Sequence, residues 1–239
     1  MRQRFLALVK PLEELRGADA RLLLSLLALV FCIWTFVTVA DHVTLGRAQH
    51  IDERLMRALR VPEDLSRPVG PYWLAGAMRD ITSLGSAPVL VIFVIAVAGA
   101  LVTRRQYHAV VMLLAATVGG ILLNDVLKGL FARPRPDAAL HLTEVRSLSF
   151  PSGHAMESAI IYLTLAALLA RLVQSRALRL YFLGVAACLT LLVGTSRVYL
   201  GVHYPSDVLA GWAAGLAWAL LCWTVASYLQ RRGSVEPPK

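Results

Sequence analysis

The 239-residue chain is 57% hydrophobic and 16% charged, whereas a soluble domain is typically about half apolar and about one quarter charged. Its mean hydropathy of +0.63 departs in the same direction. These values argue against a soluble domain and favour a protein embedded in a lipid bilayer. The net charge of +9 indicates anionic partners. Because so apolar a chain offers little polar surface for nucleic acid, we expect an anionic membrane surface or a phosphorylated substrate.

Six apolar stretches approach or reach the length that crosses the hydrocarbon core of a membrane. They cover residues 22–40, 87–102, 109–127, 155–172, 180–195 and 208–227. The first is followed by an acidic residue and a histidine rather than by a small-residue cleavage site, so we predict an uncleaved first span and not a signal peptide. The sequence thus predicts an all-α, polytopic membrane protein, with residues 1–239 forming a single six-helix domain.

The long connection between the first two predicted spans contains two segments typical of the membrane interface. Residues 47–60 place Ile51, Leu55 and Leu59 at four-residue intervals among charges. One apolar stripe on a charged helix predicts an interfacial helix in the headgroup layer. Residues 71–85 begin with an aromatic pair and form a second candidate. A solvated cap packed on the bundle is an alternative for both.

The basic connections predict the orientation of the bundle. Residues 103–108 and 171–179 are short and contain arginine without any acidic residue, and the N-terminal segment and residues 231–232 are also basic. By the positive-inside rule, both termini are expected in the cytoplasm. The connections on the opposite side also carry many cations, so the difference in cation number between the two sides is small.

Most remaining polar residues fall into three clusters that the alternation of spans places on one membrane face, the outer one. They are Lys128, Arg133 and Arg135; Ser152, Gly153 and His154; and Ser196, Arg197, His203 and Asp207. A cation at mid-bilayer costs about 2.5–3.5 kcal/mol, and less toward the interface. A single cation there is explained by snorkelling to headgroups, but Lys128, Arg135 and Arg197 together predict a phosphate-sized anion.

The second cluster offers backbone donors as well as a side chain. Pro151 can start a helix, and Gly153 allows an anion to approach the free N–H groups at the helix N-terminus. The Ser152 hydroxyl adds a donor for the same oxygens. An ordinary helix start explains this motif equally well when it is taken alone.

The third cluster has the spacing of an activated nucleophile. His203 and Asp207 are four residues apart at the start of the sixth span, so the carboxylate can accept the Nδ1–H of the imidazole. This leaves Nε2 free to attack phosphorus, with His154 as the acid for the leaving oxygen. A metal bound by His154, His203 and Asp207 is the alternative, and the neighbouring cations argue against it because they already supply positive charge.

With these motifs the chain resembles the type 2 phosphatidic acid phosphatase (PAP2) family. The family's motifs are Lys-x6-Arg-Pro, Pro-Ser-Gly-His and Ser-Arg-x5-His-x3-Asp, and all three match in full and in order. The matching residues are Lys128, Arg135 and Pro136; Pro151, Ser152, Gly153 and His154; and Ser196, Arg197, His203 and Asp207.

The resemblance implies metal-independent hydrolysis of a lipid phosphomonoester or diphosphate without a cofactor. It implies that His203 is the nucleophile, that Asp207 orients it, and that His154 is first the acid and then the base. The implied phosphate-binding residues are Lys128, Arg135, Ser152, Gly153 and Arg197, with Pro136, Pro151 and Ser196 in support.

The resemblance to bacterial members further implies a phosphorylated lipid substrate and a place in the bacterial inner membrane, with the site on its outer face. It favours undecaprenyl diphosphate, followed by phosphatidylglycerophosphate, phosphatidate and lipid A phosphates. Two alternatives stay open. One is a phosphotransferase of the same family, and the other is a non-catalytic membrane protein that binds or transports a lipid phosphate.

Overall fold

The computed structural model describes residues 2–145 and 147–231, with side chains at residues 20, 22–145 and 147–229. The N-terminal cations and residue 232, which contribute to the predicted orientation, lie outside the described side chains. The described helices are α1 (Arg2–Thr44), α2 (Gln49–Ala58), α3 (Tyr72–Ser83), α4 (Ala87–Thr103), α5 (Tyr107–Phe131), α6 (Gly153–Arg171), α7 (Arg176–Tyr199) and α8 (Pro205–Arg231). The predicted all-α membrane fold is confirmed.

Five helical segments of the described chain are long and apolar enough to cross a membrane. They are Leu22–Thr44, Tyr107–Phe131, Gly153–Arg171, Arg176–Tyr199 and Pro205–Leu229. Helices α3 and α4 meet at an angle of 45° across a short break and pass the same length and composition criteria as a pair, which forms either a bent sixth span or a re-entrant loop. Residues 71–85, predicted to lie at the interface, belong largely to α3, which packs on α7 and is followed after the bend by α4.

Helix α6 lies at the centre of the bundle, where it packs against α5, α7 and α8, while α1 packs along α8. Two glycines allow α8 to approach α6 closely. A Cβ added at Gly211 would lie 2.7 Å from the Ser152 carbonyl oxygen, and one added at Gly215 would lie 2.5 Å from that of Met156. Any side chain at these positions would push the two helices apart, and α6 carries the Pro-Ser-Gly-His motif at its start.

The connection between α1 and α3 contains a two-stranded element that the sequence analysis does not predict. Strands β1 (Arg60–Val61) and β2 (Asp64–Pro68) form an antiparallel pair. On α2, Ile51 and Leu55 are exposed, as expected for an interfacial stripe. The buried residues of α2 are Asp52 and Met56, so this helix turns a carboxylate toward the bundle.

We predict that Gly211→Ala and Gly215→Ala lower the thermal unfolding midpoint of the detergent-solubilised protein. Overpacking costs about 1–3 kcal/mol, which exceeds the helix-propensity gain of about 1 kcal/mol from replacing glycine by alanine. Gly184→Ala on α7 is the matched control, because nothing lies within 4 Å of its added Cβ. Its midpoint should stay level or rise. Equal midpoints for all three variants would contradict the packing argument.

Candidate active site

The predicted motifs meet at one end of the bundle, where α5 and α7 end and α6 and α8 begin. The backbone N–H of Ser152 donates to the carbonyl oxygen of Asp207 at 3.0 Å, which joins the second and third motifs directly. The bend between α3 and α4 also reaches this point. A Cβ added at Gly85 would lie 3.4 Å from the His154 ring.

His203 has the tautomer that a nucleophile needs. Its side chain is buried, and Nε2 lies 3.2 Å from Nη1 of Arg135. Because a guanidinium only donates hydrogen bonds, Nε2 is the acceptor and the ring proton is on Nδ1. Nδ1 faces Asp207 Oδ2 at 3.5 Å, a distance at the outer limit of hydrogen bonding.

Burial also keeps the His203 ring neutral. Burial, together with the charges of Arg135 and Arg197, lowers the pKa of His203 to about 4, although Asp207 favours the protonated ring. At neutral pH the unprotonated Nε2 therefore carries its lone pair. A neutral ring whose Nε2 lies beside a guanidinium can attack an anionic phosphoryl group held by that cation.

Asp207 is fully buried, and donors hold both of its carboxylate oxygens. Arg133 Nη1 donates to Oδ1 at 2.6 Å. The Ser149 hydroxyl and the Tyr204 backbone N–H donate to Oδ2 at 2.5 and 2.9 Å. Arg133 belongs to the first predicted cluster but has no predicted role, and Ser149 belongs to none of the clusters, because neither residue is part of the recognised motifs.

Arg133 connects Asp207 to the α1–α3 connection. Its Nη2 donates to Asp52 Oδ2 at 2.9 Å and to Gln49 Oε1 at 3.0 Å. Its guanidinium carbon also lies 4.1 Å from the centre of the Tyr204 ring, within cation–π range. Helix α2 thus forms part of the site. The prediction of an interfacial helix over residues 47–60 does not include this contribution.

Lys128 and Arg135 are held by the same segment of chain. Lys128 Nζ donates to the Ser147 hydroxyl and the Leu148 carbonyl, both at 3.1 Å. Arg135 donates to the Ser147 carbonyl at 2.6 Å and to its hydroxyl at 3.0 Å. These neutral acceptors bring the two cations together without cancelling their charge.

Arg197 approaches from α7 and is also bound by a neutral group. Its side chain is buried, and Nη1 donates to the Thr82 hydroxyl on α3 at 3.0 Å. The His154 ring interacts electrostatically with Arg197, His203, Lys128 and Arg135. The predicted acid, the predicted nucleophile and three cations therefore share one site. Thr82 lies outside the motifs, and no sequence signal identifies it.

Besides Nδ1 of His203, which lies 3.5 Å from Asp207 Oδ2, two buried donors at this site lack a hydrogen-bond partner among the described residues. They are the Ser152 hydroxyl and Nε of Arg197. A buried polar group without a partner costs about 1–3 kcal/mol. Gly153 begins α6 beside them, and a Cβ added there would lie 3.0 Å from the Asn124 amide nitrogen. A tetrahedral anion would supply acceptors to both donors and to the N-terminus of α6.

The predicted supporting residues make structural contacts. The Ser196 hydroxyl donates to the Val193 carbonyl at 2.6 Å within α7. Pro136 and Pro151 are buried, and the Pro136 carbonyl lies 3.1 Å from Nε2 of His141. Across the described residues, no group of three or more His, Cys, Asp or Glu side chains is arranged to hold a metal ion.

A membrane helix bundle that presents two histidines, a carboxylate and three cations at one end has the composition of a phosphoryl-transfer site. A family model described as the PAP2 superfamily matches residues 107–231, and the chain belongs to this family. It is a multi-pass membrane protein and a PAP2 lipid phosphatase.

Relatives and a solved structure agree with this assignment. Phosphatidylglycerophosphatase B of Bacillus subtilis is 36% identical over 184 residues, which cover 76% of this chain and 86% of the relative. An undecaprenyl-diphosphatase of Sulfolobus acidocaldarius is 32% identical over 120 residues, which cover 48% of this chain and 54% of the relative. The crystal structure of a transmembrane PAP2-type phosphatidylglycerolphosphate phosphatase from B. subtilis matches with a TM-score of 0.77 and 30% identity. The match covers 85% of this chain and 98% of that one.

The lowered pKa of His203 predicts a stability that falls on acidification. Between about pH 6.5 and the folded-state value of about 4, the unfolded chain binds a proton at this histidine that the folded chain does not. Unfolding midpoints should therefore decline across this window as pH falls. His203→Gln should show a shallower decline because it removes the titrating group. Parallel curves for the two proteins would contradict the assignment of a neutral, buried ring.

Proposed function

We propose that the protein hydrolyses a membrane lipid phosphate through a phosphohistidine on His203, without a metal ion. The observation that carries the proposal is the state of the His203 ring. Nε2 accepts from Arg135, and Nδ1 faces Asp207. This arrangement supplies a nucleophilic lone pair at the point where a bound phosphoryl group is held by cations.

In the first step, Nε2 of His203 attacks phosphorus and the bond between phosphorus and the lipid oxygen breaks. His154 gives its proton to that oxygen, so that the lipid leaves as an alcohol or, from a diphosphate, as a monophosphate. The His203 ring becomes a phosphorylated cation, which the Asp207 carboxylate stabilises.

In the second step, His154 takes a proton from water as the water oxygen attacks phosphorus. The N–P bond breaks, its electron pair returns to Nε2, and inorganic phosphate leaves. Both histidines are then ready for another turnover. The change of His154 from acid to base between the two steps needs no additional group.

The cations and the start of α6 stabilise the charge on the phosphoryl oxygens in both steps. Phosphoryl transfer depends mainly on positioning and on electrostatic stabilisation of the equatorial oxygens. The proposed donors are Lys128, Arg135, Arg197, the Ser152 hydroxyl and the Gly153 backbone N–H. Two of these residues, Ser152 and Arg197, each carry a buried donor that lacks a partner within the described chain.

We propose phosphatidylglycerophosphate as the first candidate substrate and undecaprenyl diphosphate as the second. The sequence resemblance alone favours undecaprenyl diphosphate. The relative named for phosphatidylglycerophosphate is covered over 86% of its length, whereas the one named for undecaprenyl diphosphate is covered over 54%. Because the first of these matches covers more of the relative's chain, it places phosphatidylglycerophosphate ahead of undecaprenyl diphosphate.

We further propose that residues 1–239 act as a single domain in the bacterial inner membrane, with cytoplasmic termini and the site at the outer face. The end of the bundle opposite the site carries a groove lined in part by Arg104, Arg105 and Arg171. Cations that flank spans in this way favour the cytoplasmic side. The site then faces lipids of the outer leaflet.

The central test is phosphate release by the purified protein in detergent from phosphatidylglycerophosphate, undecaprenyl diphosphate, phosphatidate and lipid A, each assayed with and without EDTA. We expect release to continue in EDTA, with phosphatidylglycerophosphate hydrolysed fastest. His203→Ala should abolish release from every substrate. Three results would overturn parts of the proposal: turnover by His203→Ala, a requirement for a divalent ion, or transfer to an acceptor without free phosphate.

His154→Ala should reveal the acid step. The variant should lose about 10²–10⁴-fold in rate on a lipid phosphate, because the leaving alkoxide lacks a proton donor. A phosphate ester with a good leaving group needs no such donor, so formation of the phosphoenzyme should largely recover with that substrate. Rapid-quench measurement of labelled phosphoenzyme would test this. Equal losses with both substrates would assign His154 to another role.

A further inference from the structure

A buried network of three charged side chains adjoins the proposed nucleophile through Asp207. Arg133 donates to Asp207 Oδ1 at 2.6 Å and to Asp52 Oδ2 at 2.9 Å. Exposed fractions are 0% for Asp207, 8% for Arg133 and 2% for Asp52. Two carboxylates thus share one guanidinium in a region that is shielded from water.

The net charge of this network determines how well it stabilises a positively charged His203 ring. Arg133 alone would neutralise Asp207 and leave the His203 ring facing a pair with no net charge. Asp52 adds a second carboxylate, so the group of three carries one net negative charge. That charge matches the positive charge that the His203 ring acquires when it is phosphorylated. Charges interact strongly over such distances in a buried site, where water screens them poorly.

We propose that Asp52 is a positioning residue of the phosphatase, which acts through Arg133 to keep Asp207 effective as the anionic partner of His203. Asp52 does not touch the substrate, and its effect falls on the phosphorylated state of His203. This inference rests on the proposed function, because it needs His203 to become cationic during turnover.

Asp52 also holds the part of α8 that carries Asp207. Its Oδ1 accepts from the Ser206 backbone N–H at 3.0 Å, and its Oδ2 accepts from the Ser206 hydroxyl. A carboxylate at a helix N-terminus satisfies free N–H groups and interacts favourably with the helix dipole. Asparagine at position 52 retains an oxygen acceptor for the Ser206 N–H, so Asp52→Asn removes the charge while sparing much of this contact.

The test is a double-mutant cycle of Asp52→Asn and Arg133→Gln, with glutamine retaining a neutral donor for Asp207. Asp52→Asn should lower kcat about 10- to 100-fold, while KM changes little because Asp52 does not contact the lipid phosphate. Arg133→Gln should also lower kcat, since it leaves two carboxylates uncompensated. The double variant restores one net negative charge and should exceed the kcat of each single variant by at least about fivefold.

Glu63→Gln is the matched control, because it removes a carboxylate from an exposed position in the same connection and should leave kcat unchanged. A purely structural role for Asp52 predicts that kcat falls and recovers in step with the unfolding midpoints of the same variants, because a buried ion pair that loses one member leaves an unpaired charge, and that result would overturn the inference. Wild-type kcat in Asp52→Asn would do so as well. If one single variant does not yield folded protein, comparing the kcat of the double variant with that of the other single variant still tests the inference.

His203→Ala and wild type are assayed in the same series, so failure of the two proposals can be told apart. An active His203→Ala enzyme contradicts the nucleophile. An inactive His203→Ala enzyme together with an absent double-mutant recovery contradicts only the role of Asp52.

Discussion

The buried carboxylate of Asp207 is the group on which the rest of the site depends. A carboxylate without solvent must be hydrogen-bonded and balanced by charge, and it costs several kcal/mol where it is not. Asp207 meets this demand with Arg133, Ser149, the Tyr204 N–H and the facing His203 ring. Arg133 and Ser149 come from two other segments of the chain, so satisfying one charge fixes the position of several segments.

Close helix packing makes this convergence possible. Gly211 lets α8 lie against the start of α6, and the Ser152 N–H reaches the Asp207 carbonyl at 3.0 Å. The same contact joins the start of α6 to the start of α8, so the proposed anion-binding backbone and the segment that carries the proposed nucleophile are positioned together. A membrane bundle gains little from hydrophobic burial between its helices and relies on such small-residue contacts. Here those contacts position the segments that carry Ser152 and Asp207.

The sequence predicted the spans and the three motifs because both are local patterns. A run of apolar residues defines a span by its length, and the motif residues are recognised by fixed spacing. Asp52, Arg133 and Thr82 act through partners that are distant in the chain, and no spacing rule identifies such pairs. The periodicity of α2 correctly indicated an exposed apolar stripe with Ile51 and Leu55, but it gave no indication that Asp52 is buried. The bend between α3 and α4 is likewise a tertiary feature.

The four cations around the site differ in what holds them, and this difference separates their functions. Two carboxylates bind Arg133, so its charge is already matched and it acts on Asp207. Lys128, Arg135 and Arg197 are held by carbonyl and hydroxyl oxygens, as at Ser147 and Thr82. These neutral acceptors orient a cation without cancelling its charge, and charge-assisted bonds to a phosphate are stronger than bonds to neutral oxygens. A phosphoryl dianion can therefore displace the neutral acceptors from the three cations, while it cannot compete for Arg133.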